Sequence, residues 1–224
     1  MKKSAKKGNL FLGIDLGGKE NKTTAFCILD QNGKPLSFLC QKCQDFYGKE
    51  ILNKISPFLK EIKTIAIDAP LTRGRGKGKF RLFEKFLSMK PFKKERVSPL
   101  PPAFMPELCD FALETKEKLK KEGFVLDLNL IEVFPTLILK ICKKKYLYNN
   151  LKLPCQTKNQ KMAFVSAKMA FWHFHFETRY LGYKDGFLFL PKIDFWKIKW
   201  QEKFKKLWKE KPHLKYYRLK TNIF

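Results

Sequence analysis

Apolar positions in this chain cluster into short runs that close on acidic residues. Leu10 to Asp15 and Thr64 to Asp68 are almost wholly apolar until a final aspartate, after which Gly17-Gly18 and Pro70 signal turns. Apolar runs of this length, bounded by turn residues, predict strands buried on both faces. Thr23 to Leu29 reads as a second strand, Asp30-Gln31-Asn32-Gly33 as a hairpin turn with the Asn-Gly signal, and Pro35 to Cys40 as a third strand. Residues 9 to 40 are thereby predicted to form a three-stranded meander. Ile51, Ile55, Leu59 and Ile62 then recur at helical spacing, with Pro57 imposing a break.

The second half alternates in the same way. A helix is predicted over Phe80 to Met89, an irregular stretch over the proline-rich Pro91 to Pro106, and a helix over Glu107 to Glu122 that Gly123 stops. Leu128 to Phe134 reads as another buried strand, closed by Pro135. From Lys161 to Phe176 the chain is apolar on nearly every side, which predicts a buried central helix. Phe187 to Leu190 is a short extended piece. From Asp194 onward, Trp196, Trp200, Phe204, Leu207 and Trp208 share one helical face and lysines occupy the rest. A nucleic-acid clamp and a membrane-surface helix are alternatives for this tail, and packing with a basic outer face is the reading favoured.

The chemistry on offer lies where strands end. A carboxylate at the exit of a buried strand is held rigidly and stays reachable, so Asp15 and Asp68 together suggest a paired acidic metal site. Each alone would also serve as a turn-capping aspartate. Glu132 is the anomaly, because an acid between Leu130, Ile131, Val133 and Phe134 needs a metal or an arginine to offset its burial. Arg81 is assigned to that compensation or to a substrate phosphate, which a guanidinium binds through two donors. The glycine-rich basic loop Arg73 to Lys79 ends in Phe80 instead of Ser or Thr, so it is no P-loop; its Arg75 and Lys77 are candidates to contact substrate. His173 and His175 are read as packing residues.

Charge changes the picture. With 47 Lys+Arg against 21 Asp+Glu the formal net charge is +26, and such a chain repels itself and attracts polyanions, nucleic acid foremost. At 44% hydrophobic residues wholesale disorder is excluded, and 224 residues suit one domain with elaborations. No run approaches the ~20 apolar residues of a membrane span, so no membrane partner is expected and the location is read as cytoplasmic. Cys40 and Cys43 form a C-x-x-C pair with no second pair at zinc-ligand spacing.

Hairpin meander, helix-linked strands, and acids closing the first and fourth strands resemble the ribonuclease H-like fold, a mixed five-stranded sheet flanked by helices. Within it the chain is similar to the domain-of-unknown-function family 429 of predicted nucleases. The likeness rests on Gly13 to Gly18 (G-x-D-x-G-G), Ile67 to Leu71 (Ile-Asp-Ala-Pro-Leu), Arg81 with Glu84, Glu132 to Pro135, and the small residues Ala163, Ala167 and Ala170. It covers roughly residues 9 to 191, after a basic tail at 1 to 8 and before a basic aromatic extension at 192 to 224.

The resemblance implies a metal-dependent nuclease or phosphodiesterase. Asp15, Asp68 and Glu132 would be catalytic and would hold Mg²⁺ or Mn²⁺, because hard oxygen ligands suit those ions. One departure stands out: where the family typically has an aspartate before the small-residue helix, this chain has Met162, so another acid such as Glu84 or Glu177 substitutes or the site is incomplete. A nucleic-acid-binding protein on a decayed catalytic scaffold is the alternative. The Gly13 to Gly18 segment with Lys22-Thr23-Thr24 also resembles the opening of sugar kinases and actin-like ATPases, which need a second lobe for which this chain has no room.

Overall fold

A computed structural model describes residues 8–36, 45–74, 80–148, 157–209 and 218–221. Eight strands occur there: β1 (Leu10–Asp15), β2 (Lys22–Leu29), β3 (Phe46–Tyr47), β4 (Ile62–Asp68), β5 (Leu130–Glu132), β6 (Thr178–Tyr183), β7 (Gly186–Pro191) and β8 (Arg218–Thr221). The helices are α1 (Ile51–Ile55), α2 (Leu82–Leu87), α3 (Pro106–Lys121), α4 (Pro135–Ile141), α5 (Lys144–Tyr148), α6 (Lys158–Phe174) and α7 (Ile198–Lys209).

Five strands form one mixed sheet in the order β3-β2-β1-β4-β5. β1 pairs antiparallel with β2, while β4 runs parallel to β1 on one side and to β5 on the other. Helices flank this sheet, a layout compatible with the ribonuclease H-like arrangement. Parallel pairing brings the ends of β1, β4 and β5 to one rim, and all three of those ends are acidic.

The hairpin after β2 forms as its turn chemistry demands. Asp30 Oδ1 accepts from the N–H groups of Asn32 and Lys34, both at 2.9 Å, and Gly33 takes a φ of +71°, which glycine adopts without strain. The strand expected over Pro35 to Cys40 is described only at its start, where Pro35 bridges to Leu29. The paired edge strand among the described residues is β3, which begins six residues after the end of the expected run at Cys40. Cys40 and Cys43, and the tail at 1–7, lie outside the described residues.

α6 is the central helix, and a glycine decides how close it comes. A Cβ on Gly13 would sit 1.9 Å from the backbone nitrogen of Ala167 and 2.2 Å from the carbonyl oxygen of Ala163, so the helix rests directly on the β1 backbone. Ala163, Ala167 and Ala170 are wholly buried at this contact. Pro57 breaks the helix after β3 as expected, leaving α1 and a 3₁₀ turn over Ser56–Phe58.

Two features escape the periodicity of the sequence. β6, after the expected end of the central helix at Phe176, had no predicted element, and β8 was not separated from the basic tail; with β7 they make a second sheet of order β7-β6-β8. The tail is built into the core: Trp196, Trp200 and Phe204 are buried, with Phe92 stacked on Trp200 at 5.6 Å and Phe86 edge-on to Phe204 at 5.3 Å. Its apolar face therefore packs inward and its lysines face out. No helix among the described residues is long and apolar enough to cross a membrane.

Candidate carboxylate site

Asp15 and Asp68 are Cα partners in the parallel pairing of β1 with β4. Side chains at paired positions point to the same face, and adjacent strands lie about 4.8 Å apart, so the two carboxylates are neighbours at the common strand exit. Glu132 pairs with Ile67, one position back along β4, and closes β5 beside them.

Crowding and burial keep these acids from ionising freely. Burial pushes the Asp15 carboxyl up to about 7, the charge of Asp45 adds to this, and Lys158 opposes it. Asp68 is driven well above the usual carboxylate range by burial first, then by Asp15 and Glu132, again against the pull of Lys158. Burial penalises the charged form of both acids, and their mutual repulsion adds to it. Such a pair takes up a proton or a cation.

Glu132 has a different environment. Its Oε2 accepts from Arg81 Nη1 at 2.6 Å and from the Leu71 amide at 2.8 Å. Arg81 is 1% exposed and also donates to Glu84 Oε1 through Nε at 2.9 Å and to Thr72 Oγ1 at 3.1 Å. Of the two roles open to Arg81, compensation is thus the one its contacts fill, and its guanidinium is committed to protein partners. Glu84 is wholly buried against Arg81 and closes the first turn of α2 by accepting from the Arg81 amide at 2.8 Å. Glu84 is therefore committed to Arg81. Glu177, the other substitute considered, pairs with Lys192 at 2.9 Å. Arg75 and Lys77 lie outside the described residues.

Two residues near the acids were not singled out in the sequence. Asp45, just before β3, accepts from Thr157 Oγ1 at 2.8 Å and from Asn159 Nδ2 at 2.9 Å. Thr157 in turn caps α6 by accepting from the Gln160 amide at 3.1 Å. This chain of bonds fastens the start of α6 beside β1 and brings Lys158 within electrostatic range of both Asp15 and Asp68. Lys158 thus brings a cation to the acids from the first turn of this helix. The helix starts at Lys158, three residues before the expected Lys161, so its Thr157 cap was missed, and the partnership with Asp45 spans 112 residues and leaves no local signal.

A cleft of about 370 Å3 opens over the acids. Asp15, Asp68, Arg81 and Glu132 line its polar end, and Pro99, Leu100, Met105, Leu108 and Phe134 contribute apolar walls. Leu100 stands 58% exposed at the opening. The proline-rich irregular stretch after α2 thus forms one wall of the cleft. His173 packs as expected: Nδ1 meets Thr178 Oγ1 at 2.8 Å and Nε2 the Leu128 carbonyl at 2.9 Å, so Nε2 carries the proton.

Among the described residues no three His, Cys, Asp or Glu side chains converge as a metal cluster. Two adjacent carboxylates still suit Mg²⁺, which commonly binds one or two carboxylates and completes its shell with water and substrate phosphate. The donor set is all oxygen, the kind that suits a small hard cation. Comparison of the chain with protein-family models, with curated proteins and with solved structures finds no match.

Proposed function

We propose that this chain is a Mg²⁺- or Mn²⁺-dependent hydrolase of nucleic-acid phosphodiester bonds on a ribonuclease H-like domain. The observation that carries the reading is the in-register pairing of Asp15 with Asp68 at a rim where both carboxyls bind protons too tightly for simple surface acids. These two residues would hold the cation. A divalent ion there would activate water and stabilise the leaving oxygen. The apolar walls of the cleft suit a base or sugar face, and the formal charge of +26 draws a polyanion toward it. Arg81 and Glu132 brace the floor beneath the acids, and Lys158 tempers their charge.

The deciding experiment incubates the protein with labelled single-stranded and duplex DNA and RNA, with Mg²⁺ or Mn²⁺ and then with chelator. Cleavage that needs the cation and is lost in Asp15→Asn and Asp68→Asn is the expected result. Absence of cleavage on every substrate, with binding intact, would overturn it.

That outcome would establish the second reading, a nucleic-acid-binding protein on a decayed scaffold. Two observations favour it: Glu132 is tied to Arg81, and Lys158 already supplies positive charge to the pair.

A further inference from the structure

Two lysine-rich segments lie far apart in sequence and side by side in space. Cys142 bridges antiparallel to Trp196, the Lys143 amide donates to the Phe195 carbonyl at 2.9 Å, and the Lys197 amide donates to the Ile141 carbonyl at 2.8 Å. This short zipper sets Lys140, Lys143, Lys144 and Lys145 against Lys197 and Lys199. Lys203 follows one turn further along α7.

The lysines are crowded, and few acids answer them. Lys197 spends its ammonium on the Lys140 carbonyl at 2.8 Å, and Lys143 on the Asp194 carbonyl at 3.2 Å. Burial and repulsion from Lys199, Lys140 and Lys144 lower the proton affinity of Lys197. Among the described residues Glu95 is the acid that bridges the seam, to Lys140 at 2.8 Å and Lys203 at 3.6 Å, and it also feels the charge of Lys199. Lys144, Lys145 and Lys199 are exposed and form no ion pair among the described residues.

We infer that the seam between residues 140–145 and 197–203 is a docking track for a nucleic-acid backbone, separate from the carboxylate cleft. Clustered cations on one face, unneutralised by the fold, are what phosphate contacts require. An anionic membrane is less suited, because the aromatic face of α7 that would insert into lipid is buried as Trp200 and Phe204 in the core. The seam is also placed to serve the cleft. α4 starts beside Phe134 at the cleft wall and ends at the seam, and its seven residues span about 10 Å. A strand seated on the lysines would reach the acids within a few nucleotides.

The inference rests on nucleic acid being the partner and is independent of cleavage, so its test is run in chelator. Binding of a short labelled DNA duplex and of single-stranded RNA is followed against salt for three proteins: the unaltered chain, the triple Lys144→Gln, Lys145→Gln, Lys199→Gln, and the triple Lys63→Gln, Lys120→Gln, Lys121→Gln. The second triple removes equal charge from exposed lysines around the opposite rim of the sheet. The seam triple is expected to weaken binding at least tenfold and to reduce the salt slope on duplex by about two to three, as loss of three phosphate contacts demands. The opposite triple should change binding less than threefold, and arginine at the three seam positions should restore it. Equal losses from both triples would overturn the inference, since net charge alone would then explain binding. So would a seam triple that releases anionic vesicles while leaving nucleic-acid affinity unchanged. Loss of cleavage in Asp68→Asn with binding intact leaves the track standing, which separates its failure from that of the hydrolase reading.

Discussion

Gly13 and Ala167 stand so close that a single added carbon cannot fit between them: a Cβ on Gly13 would lie 1.9 Å from the Ala167 nitrogen. The obstacle is helix backbone, which cannot rotate away as a flexible side chain would. Gly13→Ala is therefore expected to push α6 off β1 and to cost about 3 kcal/mol or more, at the upper end of overpacking penalties. Urea denaturation of the variant measures it. A loss below about 1 kcal/mol would show that the helix accommodates the methyl.

This contact also shows what the sequence could and could not reveal. Gly13 belongs to the G-x-D-x-G-G motif and was noticed as part of a turn-forming acid signature, while the structure assigns it to helix packing. The strands ending at Asp15 and Asp68 were readable because buried runs and their turn residues are local properties. That Glu132 needs compensation was readable because a buried acid must be offset, but the choice between a metal and Arg81 was made only by the 2.6 Å contact in the structure. Asp45 was not readable, since its carboxylate acts on Asp15, Thr157 and Asn159, all brought near only by the fold. β6 was hidden for a similar reason: Thr178 to Tyr183 follows α6 after a few residues, and its strand character depends on pairing with β7 and β8.

Asp15 makes stability depend on pH in a defined sense. Its carboxyl titrates near 7 when folded, above its ordinary value of 3.8, because burial disfavours the charge. Between those values the folded protein binds more protons than the unfolded chain, so the contribution of Asp15 is fully present below about 4 and is lost as pH rises through 7. Asp15→Asn should therefore gain stability relative to the unaltered protein as pH increases over that range. Thermal melts of both from pH 4 to 8 test this, and parallel curves would refute it.

The cation proposed for the same acids is expected to reverse that loss. Millimolar Mg²⁺ is expected to raise the melting temperature at pH 8 and to have little effect at pH 5, where protons occupy the site. The rise should vanish in Asp68→Asn. An equal rise at both pH values would place the ion elsewhere.

Arg81 is predicted to act on stability before it acts on anything else. Its guanidinium joins Glu84 and Glu132, and all three residues are buried. Arg81→Met would strand two carboxylates in the core, at about 3 to 5 kcal/mol, the usual loss when one partner of a buried pair is removed. Denaturation of this variant and of Arg81→Met combined with Glu132→Gln should show the second change recovering part of the first. An Arg81→Met protein as stable as the parent would return Arg81 to a role on the substrate.

Lys158 tests the electrostatics of the pair from the opposite side. It lowers the proton affinity of both Asp15 and Asp68 without being one of the acids. Removing its charge in Lys158→Met leaves burial and mutual repulsion unopposed, so both carboxyls should hold protons to higher pH. A cation must displace those protons to bind, and the midpoint at which Mg²⁺ begins to raise the melting temperature should therefore move upward in pH. Lys158→Arg keeps the charge and should leave the midpoint near that of the parent. A competing effect runs the other way: with the ammonium gone, a dication meets less repulsion and should bind more tightly once the acids are ionised. The two effects separate by pH, because proton competition dominates below the new midpoint and cation affinity above it. Lys158→Met is thus expected to be less responsive to Mg²⁺ at pH 6 and more responsive at pH 9. A uniform change across that range would mean that Lys158 acts by positioning α6 instead of through its charge.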